Sequence, residues 1–472
     1  MAGGMEHLPM AMLPRPSLTC TVPSLHDELP IDCRVYHPAS LAASPDAPSW
    51  NKHAAIVAHP YAPLGGCYDD PVVDLVAGTL LQLGFLVGTF NFRGAHGSTG
   101  RTSWTAKAER ADYMSVVGFI SHYVHFLDPF RPATPSRPES ADRDEVAAAD
   151  EEVISPIRIR PPTPTSPDPS TAASPPILLL GGYSYGSMIT CQLPTLQTIL
   201  SLFDTPEYGS PAAEIRLRAQ HLAEMQTTIL ASAREAAIDH LAPRSPRKHV
   251  GLRVGGDEEG RKSHESRRSR SAEFEETIRH GVAELMARAR KRHGRSHSGQ
   301  PHACSGLDGA PERVEHTHTP EHLAPIPRMI AFRSAYLLVS PLQGIITNLA
   351  TMSLPSPLGK LWARIPAGAS KETARGEPVE SAVLARTVSP EAEDKLIKNN
   401  TLAIYGDRDG FVPVRKLREW ASRLQAIQDS KFRAHEVSSA NHFWQHRNVA
   451  VTLRNAVHAF AESLLDDSDR LT

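Results

Sequence analysis

The chain has 472 residues, a formal net charge of −2, 40 prolines against 30 glycines, and 6% aromatic residues. A near-neutral balance excludes a global field for nucleic acid, membrane surfaces or acidic substrates, so any charge argument has to be local. The proline excess and low aromatic content predict one large core interrupted by sequence that never joins it, rather than the two or three domains that length alone allows.

The five cysteines (Cys20, Cys33, Cys67, Cys191, Cys304) are odd in number, widely spaced and without a CxxC pair, which predicts reduced thiols in a reducing compartment. The first twenty residues lack a basic n-region and their apolar residues are broken by prolines, so they do not read as a signal peptide. No stretch approaches the ~18 apolar residues that a bilayer span needs. A cytoplasmic protein follows from these features.

In chain order, residues 1–26 read as a disordered N-terminus and 27–127 as the first part of an α/β core. Ala54–Ala58 (AAIVA) and Phe85–Phe90 (FLVGTF) are short apolar runs of buried-strand type, while Pro71–Leu83 and Glu109–Leu127 carry apolar residues at helical spacing. The alternation is that of βα units and a mainly parallel sheet. Residues 128–176 form a Pro/Ser/Thr/acidic tract with no periodicity able to bury a face, and read as a disordered insertion. The core resumes over 177–202 with the strand Ile177–Gly181, and a helix opens after Ser184 that Pro194 must end or kink.

A second insertion spans 203–326. Its first part, Ala212–Leu241, has the composition of a helix and is a candidate partial lid. Farther on, 244–295 holds 15 Lys and Arg against 8 Asp and Glu in low-complexity sequence. Its RARKRHGR run is a candidate nuclear address or contact for an acidic protein partner, with solvated disorder the plainer reading and nucleic acid a weaker one. Within it Phe274, Ile278, Val282, Leu285 and Met286 share one helical face, suited to docking on the chain's own domain or on a partner. The second part of the core, 327–465, contains strands Ser334–Val339, Leu402–Tyr405 and Phe432–Val437 and helices near Val414–Ile427 and Asn448–Leu465. A further candidate lid lies at 350–398 and a tail at 466–472. The fold class is α/β: a doubly wound, mainly parallel sheet of about eight strands with two long low-complexity insertions.

Gly182-Tyr183-Ser184-Tyr185-Gly186 matches G-x-S-x-G and sits between a buried strand and a helix start, the setting that gives the pattern meaning. A strand-to-helix turn there lifts the Ser184 hydroxyl above the carboxyl edge of the sheet and aims the Tyr185 N–H at a developing oxyanion. A serine alcohol is a weak nucleophile, so it needs a histidine base and a carboxylate to orient that base. Both follow in order. Asp407 and Asp409 come after the strand LAIY, and His442 after FRAHEV, which puts all three on one sheet edge. Asp409 is preferred because Asp407 begins the turn while Asp409 lies deeper in the loop, just before Gly410 and Val412-Pro413; the plainer role for either aspartate is an Asx-type turn at the strand end, which at least one of the two must play. His442 is preferred over His435, inside the strand, and His446, one turn beyond the loop. The second oxyanion donor is assigned to the His59–Gly66 loop, with Tyr61 N–H first and Ala62 second. Arg93, in the loop after FLVGTF, either pins loops together, the favoured reading, or holds an anionic substrate group. His302, Cys304, His316, His318 and His322 fit no ordinary zinc spacing.

The blocks HPYAPLGG, NFRGAHGSTG, GGYSYG, GDRDGFVP and ANHFW, in this order, resemble a bacterial and fungal group of small α/β-hydrolase superfamily proteins. The resemblance covers roughly 250 residues, broken by the two insertions. It implies the α/β-hydrolase fold and a Ser–Asp–His serine hydrolase with no metal or organic cofactor. The departures are Tyr61-Ala62 in place of a second His-Pro, and Arg101–Thr105 in place of a glycine-rich approach to the next helix. They bear on the substrate pocket and the second oxyanion donor. Ester, thioester and amide carbonyls all remain open as substrates. A reading from another class is a non-catalytic scaffold that keeps the fold for binding.

Overall fold

A computed structural model describes residues 12–42, 44, 50–103, 105–130, 174–241, 275–288, 321–342 and 390–469. Most of the first insertion, the tracts on either side of 275–288, and 343–389 lie outside them, and so does the expectation of disorder there.

Eight strands form one sheet in the order β1-β2-β4-β3-β5-β6-β7-β8. They are β1 Leu18–Pro23, β2 Pro30–Tyr36, β3 Ala54–Ala58, β4 Leu86–Phe90, β5 Ile177–Tyr183, β6 Arg333–Val339, β7 Asn400–Gly406 and β8 Phe432–Val437. Only β2 runs against the rest, pairing antiparallel with both β1 and β4. From β4 to β8 every pairing is parallel. Strand order and the single reversed second strand define the α/β-hydrolase fold.

The central strands are mostly apolar because helices cover both faces. Every residue of β3, β4 and β5 is buried. One face carries α1 (Pro71–Gln82) and α9 (Arg447–Asp469), whose Val73, Leu80, Leu453, Val457 and Phe460 join Val57, Leu179 and Ile404 of the sheet. The other carries α2 (Lys107–Phe126), α3 (Tyr185–Gln192), α4 (Leu196–Ser201), α5 (Pro211–Leu241), α7 (Pro390–Lys398) and α8 (Val414–Gln425), packed on Ile56, Leu180 and Leu338. Between α5 and α7 in sequence, a helix over 275–288 (α6) places Ile278 and Val282 in this second core, with Leu285 and Met286 partly buried against it.

Four features differ from the sequence reading. The 1–26 segment is not wholly outside the core. Leu18, Cys20 and Val22 of β1 are buried, and Leu18 to Pro23 pair with Val35 to Pro30. The segment read as a partial lid, Ala212–Leu241, falls within α5, whose Ala213, Ile215, Ala219 and Leu222 are buried in the core beside α2, and the 390–398 end of the second candidate lid is likewise the core helix α7, with Leu396 fully buried. The final helix runs to Asp469, past the boundary drawn at 465; its buried apolar stripe ends at Leu464, and the extra residues Asp466–Asp469 are polar.

Candidate active site

Strands β3, β4, β5, β7 and β8 are parallel, so the loops that follow them open at one sheet edge. Ser184 follows β5 directly and has φ 55° and ψ −110°, a strained conformation for a residue with a side chain. Two glycines make the turn possible. A Cβ on Gly182 would stand 2.3 Å from the Gly186 carbonyl carbon, and one on Gly186 would stand 2.5 Å from the Ala58 carbonyl oxygen. The Ser184 amide donates to the Val339 carbonyl at 2.8 Å, fixing the turn to β6.

The structure brings the three sequence-predicted residues into one hydrogen-bonded line. Ser184 Oγ lies 2.8 Å from His442 Nε2, and His442 Nδ1 lies 2.7 Å from Asp409 Oδ2. All three are buried, with Ser184 6% exposed and His442 3%. An ionised carboxylate only accepts, so Nδ1 carries the imidazole proton and Nε2 is left as the acceptor facing the serine hydroxyl. The other oxygen of Asp409 accepts from the Phe411 and Val412 amides at 2.8 and 3.1 Å. Asp407 does something else: its Oδ1 accepts from the Ser439 amide at 2.7 Å, pinning the loop after β7 to the loop after β8. The backbone does the rest for His442, whose carbonyl accepts from the Tyr183 hydroxyl at 2.9 Å.

Tyr185 is the first residue of α3, where the amides of an opening helix have no partner within the helix. Tyr61 caps a short 3-10 turn, Ala62–Leu64, and its ring lies 5.0 Å from that of Tyr185. Thus the loop chosen for the second oxyanion donor does stand beside the residue chosen for the first. Burial raises the hydroxyl pKa of Tyr185 far above that of an ordinary tyrosine, with the Glu109 carboxylate adding to it.

Arg93 pins loops. It is 4% exposed and binds Asp112 through Nε and Nη2 at 2.9 and 2.6 Å, Asp27 through both terminal nitrogens, and Ser24 Oγ at 3.0 Å. Burial opposes its charge, but these bonds outweigh the burial and raise its pKa. The backbone of His322, from the cluster with no zinc spacing, pairs antiparallel with that of Glu207 in an isolated β-bridge, while His302, Cys304, His316 and His318 lie outside the described residues. Among the described residues no group of three His, Cys, Asp or Glu side chains is placed to hold a metal ion, and no helix is long and apolar enough to cross a membrane.

Sequence reasoning gave no role to His59. It is fully buried; its Nε2 accepts from the Phe92 amide at 2.8 Å and its Nδ1 donates to the Pro60 carbonyl at 2.5 Å, so one ring ties the loops after β3 and β4 together. Burial lowers its pKa to about 4, against the hydrogen bond to Pro60. The available signal was a histidine immediately after a wholly apolar strand, where a polar ring must find partners.

No model of a protein family matches the chain, and no curated protein is similar to it. Solved structures similar to it include an α/β serine hydrolase without a lid from Xanthomonas campestris, at 14% identity over 96% of this chain and 97% of that one, with a TM-score of 0.36. An α/β serine hydrolase homologue from Coxiella burnetii follows at 11% identity over 94% and 98%, with a TM-score of 0.37. The mouse α/β hydrolase domain-containing protein 10 shows 9% identity over 95% and 100%, with a TM-score of 0.35. At such scores the likeness adds nothing to the fold assignment, which rests on strand order and direction.

Proposed function

We propose that this chain, with its α/β-hydrolase fold, is a serine hydrolase acting on an ester-like carbonyl through Ser184, His442 and Asp409. The observation that carries the reading is the continuous line from Ser184 Oγ through His442 to Asp409, at 2.8 and 2.7 Å, on a strained turn between strand and helix. Such a line does one thing well. His442 Nε2 takes the hydroxyl proton as Ser184 Oγ attacks the carbonyl carbon, and the imidazolium formed is stabilised by the Asp409 carboxylate.

The oxyanion is assigned to the Tyr185 N–H, with the Tyr61 N–H, or next the Ala62 N–H, as second donor. Collapse of the tetrahedral intermediate returns the proton from Nε2 to the leaving oxygen, sulfur or nitrogen and leaves an acyl group on Ser184. Water, deprotonated by His442, then releases the acid and restores the serine. No step requires a metal or an organic cofactor.

Burst kinetics test this. With p-nitrophenyl acetate the wild-type protein is expected to release p-nitrophenol in a first phase equal to the protein concentration, and Ser184→Ala to show no such phase. An equal burst from the variant would overturn the assignment of the nucleophile.

A further inference from the structure

Phe443 follows the base directly, and the residue is 52% exposed. Its setting is not that of a loose surface residue. On one side the His442 carbonyl is held by the Tyr183 hydroxyl, and the Phe443 amide itself donates to Asn441 Oδ1 at 3.2 Å. On the other, Trp444 has φ 56° and its indole N–H donates to Ser340 Oγ at 3.0 Å. Ser340 and Ser439 also have positive φ, at 46° and 65°, so four of the nine such non-glycine residues among those described, with Ser184 and Trp444, lie in the loops around this site. Strain of this kind persists only where surrounding contacts hold it. Here it holds an aromatic ring half in water beside the imidazole.

The imidazole is walled by two phenyl rings. The Phe411 ring centroid lies 4.5 Å from that of His442 and the Phe443 centroid 5.6 Å from it, edge on at 86°. The two phenyl rings meet each other at 5.7 Å and 79°. Phe411 is itself fixed, since its amide donates to Asp409 Oδ1.

Resting on the hydrolase reading above, we propose that Phe443, backed by Phe411, forms the leaving-group subsite and selects esters or thioesters whose alcohol or thiol part is aromatic or bulky and apolar. The argument is stereochemical. The leaving atom must receive its proton from His442 Nε2, so the leaving group lies on the imidazole side of the tetrahedral carbon, away from the amides assigned to the oxyanion. Whatever hangs from that atom passes over the rings at Phe411 and Phe443. A methyl group leaves the exposed face of Phe443 in water, whereas a benzyl group covers it and stacks edge or offset on both rings.

The test compares benzyl acetate with methyl acetate, whose leaving alcohols differ little in basicity, in wild type and Phe443→Ala. Covering the exposed half of one phenylalanine corresponds to a preference of about tenfold in kcat/KM for the benzyl ester. The expected result is that preference in wild type and its collapse to about twofold or less in Phe443→Ala. A parallel reaction with a fluorescent fluorophosphonate separates the two levels. Wild type that is labelled at Ser184 yet shows no benzyl preference, or a preference that survives Phe443→Ala, overturns the subsite alone; unlabelled wild type overturns the hydrolase reading beneath it.

Discussion

Replacing Asp409 by Asn alters one bond in the line and leaves the others in place. The Asn side-chain oxygen still accepts from the Phe411 and Val412 amides, which now meet Oδ1 at 2.8 and 3.1 Å, so the loop keeps its shape. Its NH2 group, however, replaces Oδ2, which accepts from His442 Nδ1 at 2.7 Å, and an amide nitrogen cannot accept. The imidazole then carries its proton on Nε2, facing Ser184 Oγ, and has no lone pair with which to take the hydroxyl proton. A wrong tautomer of this kind costs about 10⁴ in kcat in a Ser-His-Asp enzyme, which corresponds to about 5.5 kcal/mol of barrier. Asp407→Asn is the internal control. Its Oδ1 partner, the Ser439 amide, is still satisfied by an amide oxygen, so turnover is expected to stay within about threefold of wild type. The assay is steady-state hydrolysis of p-nitrophenyl acetate, with circular dichroism melting of each variant to establish that it is folded. A folded Asp409→Asn protein with wild-type kcat, or an Asp407→Asn protein that is the more damaged of the two, would refute the assignment of the acid.

Two further predictions concern the frame rather than the chemistry. Arg93→Met strands the fully buried Asp112 carboxylate, whereas the partly exposed Asp27 can turn to water, so a loss of about 3–5 kcal/mol is expected in urea unfolding. Adding Asp112→Leu should recover much of it, and equal stability of the single and double variants would contradict the ion-pair explanation. Burial holds both His59 and His122 at about pKa 4, below the ordinary 6.5. Between pH 6.5 and 4 the unfolded chain therefore binds protons that the folded chain refuses, and stability falls as pH falls through that window, by up to about 3 kcal/mol per histidine. Unfolding free energies at pH 7 and pH 4.5, with His122→Gln showing a shallower slope, test this; a flat profile would count against it.

The parts of the fold that were legible in the sequence are the parts buried on both faces. AAIVA and ILLLG have no solvent side, so each reads as a strand without help from its neighbours, and the glycines and serine after ILLLG then acquire their meaning. The outer strands β1 and β2 gave a weaker signal, since Leu18-Thr19-Cys20-Thr21-Val22 alternates over only five residues between prolines and its burial depends on pairing with residues 30–36. The site divided the same way. Ser184 and His442 follow from position on a strand end, but Asp409 and Asp407 lie on the same turn, and what separates them is which amide or imidazole each faces across the sheet edge. That is a tertiary fact, as are the ties that His59 makes to Phe92 and Arg93 makes to Asp112. Phe443 was legible only as part of a motif; its exposure and the locked backbone on either side of it belong to the folded chain.

The most direct measurement is the reaction of wild-type and Ser184→Ala protein with a fluorophosphonate, followed by intact mass and peptide mapping. The predicted result is one phosphonyl group per wild-type chain, on the peptide that contains Ser184, and no adduct on the folded variant. Folded wild-type protein that takes up no label would contradict an activated serine and leave the fold serving as a scaffold.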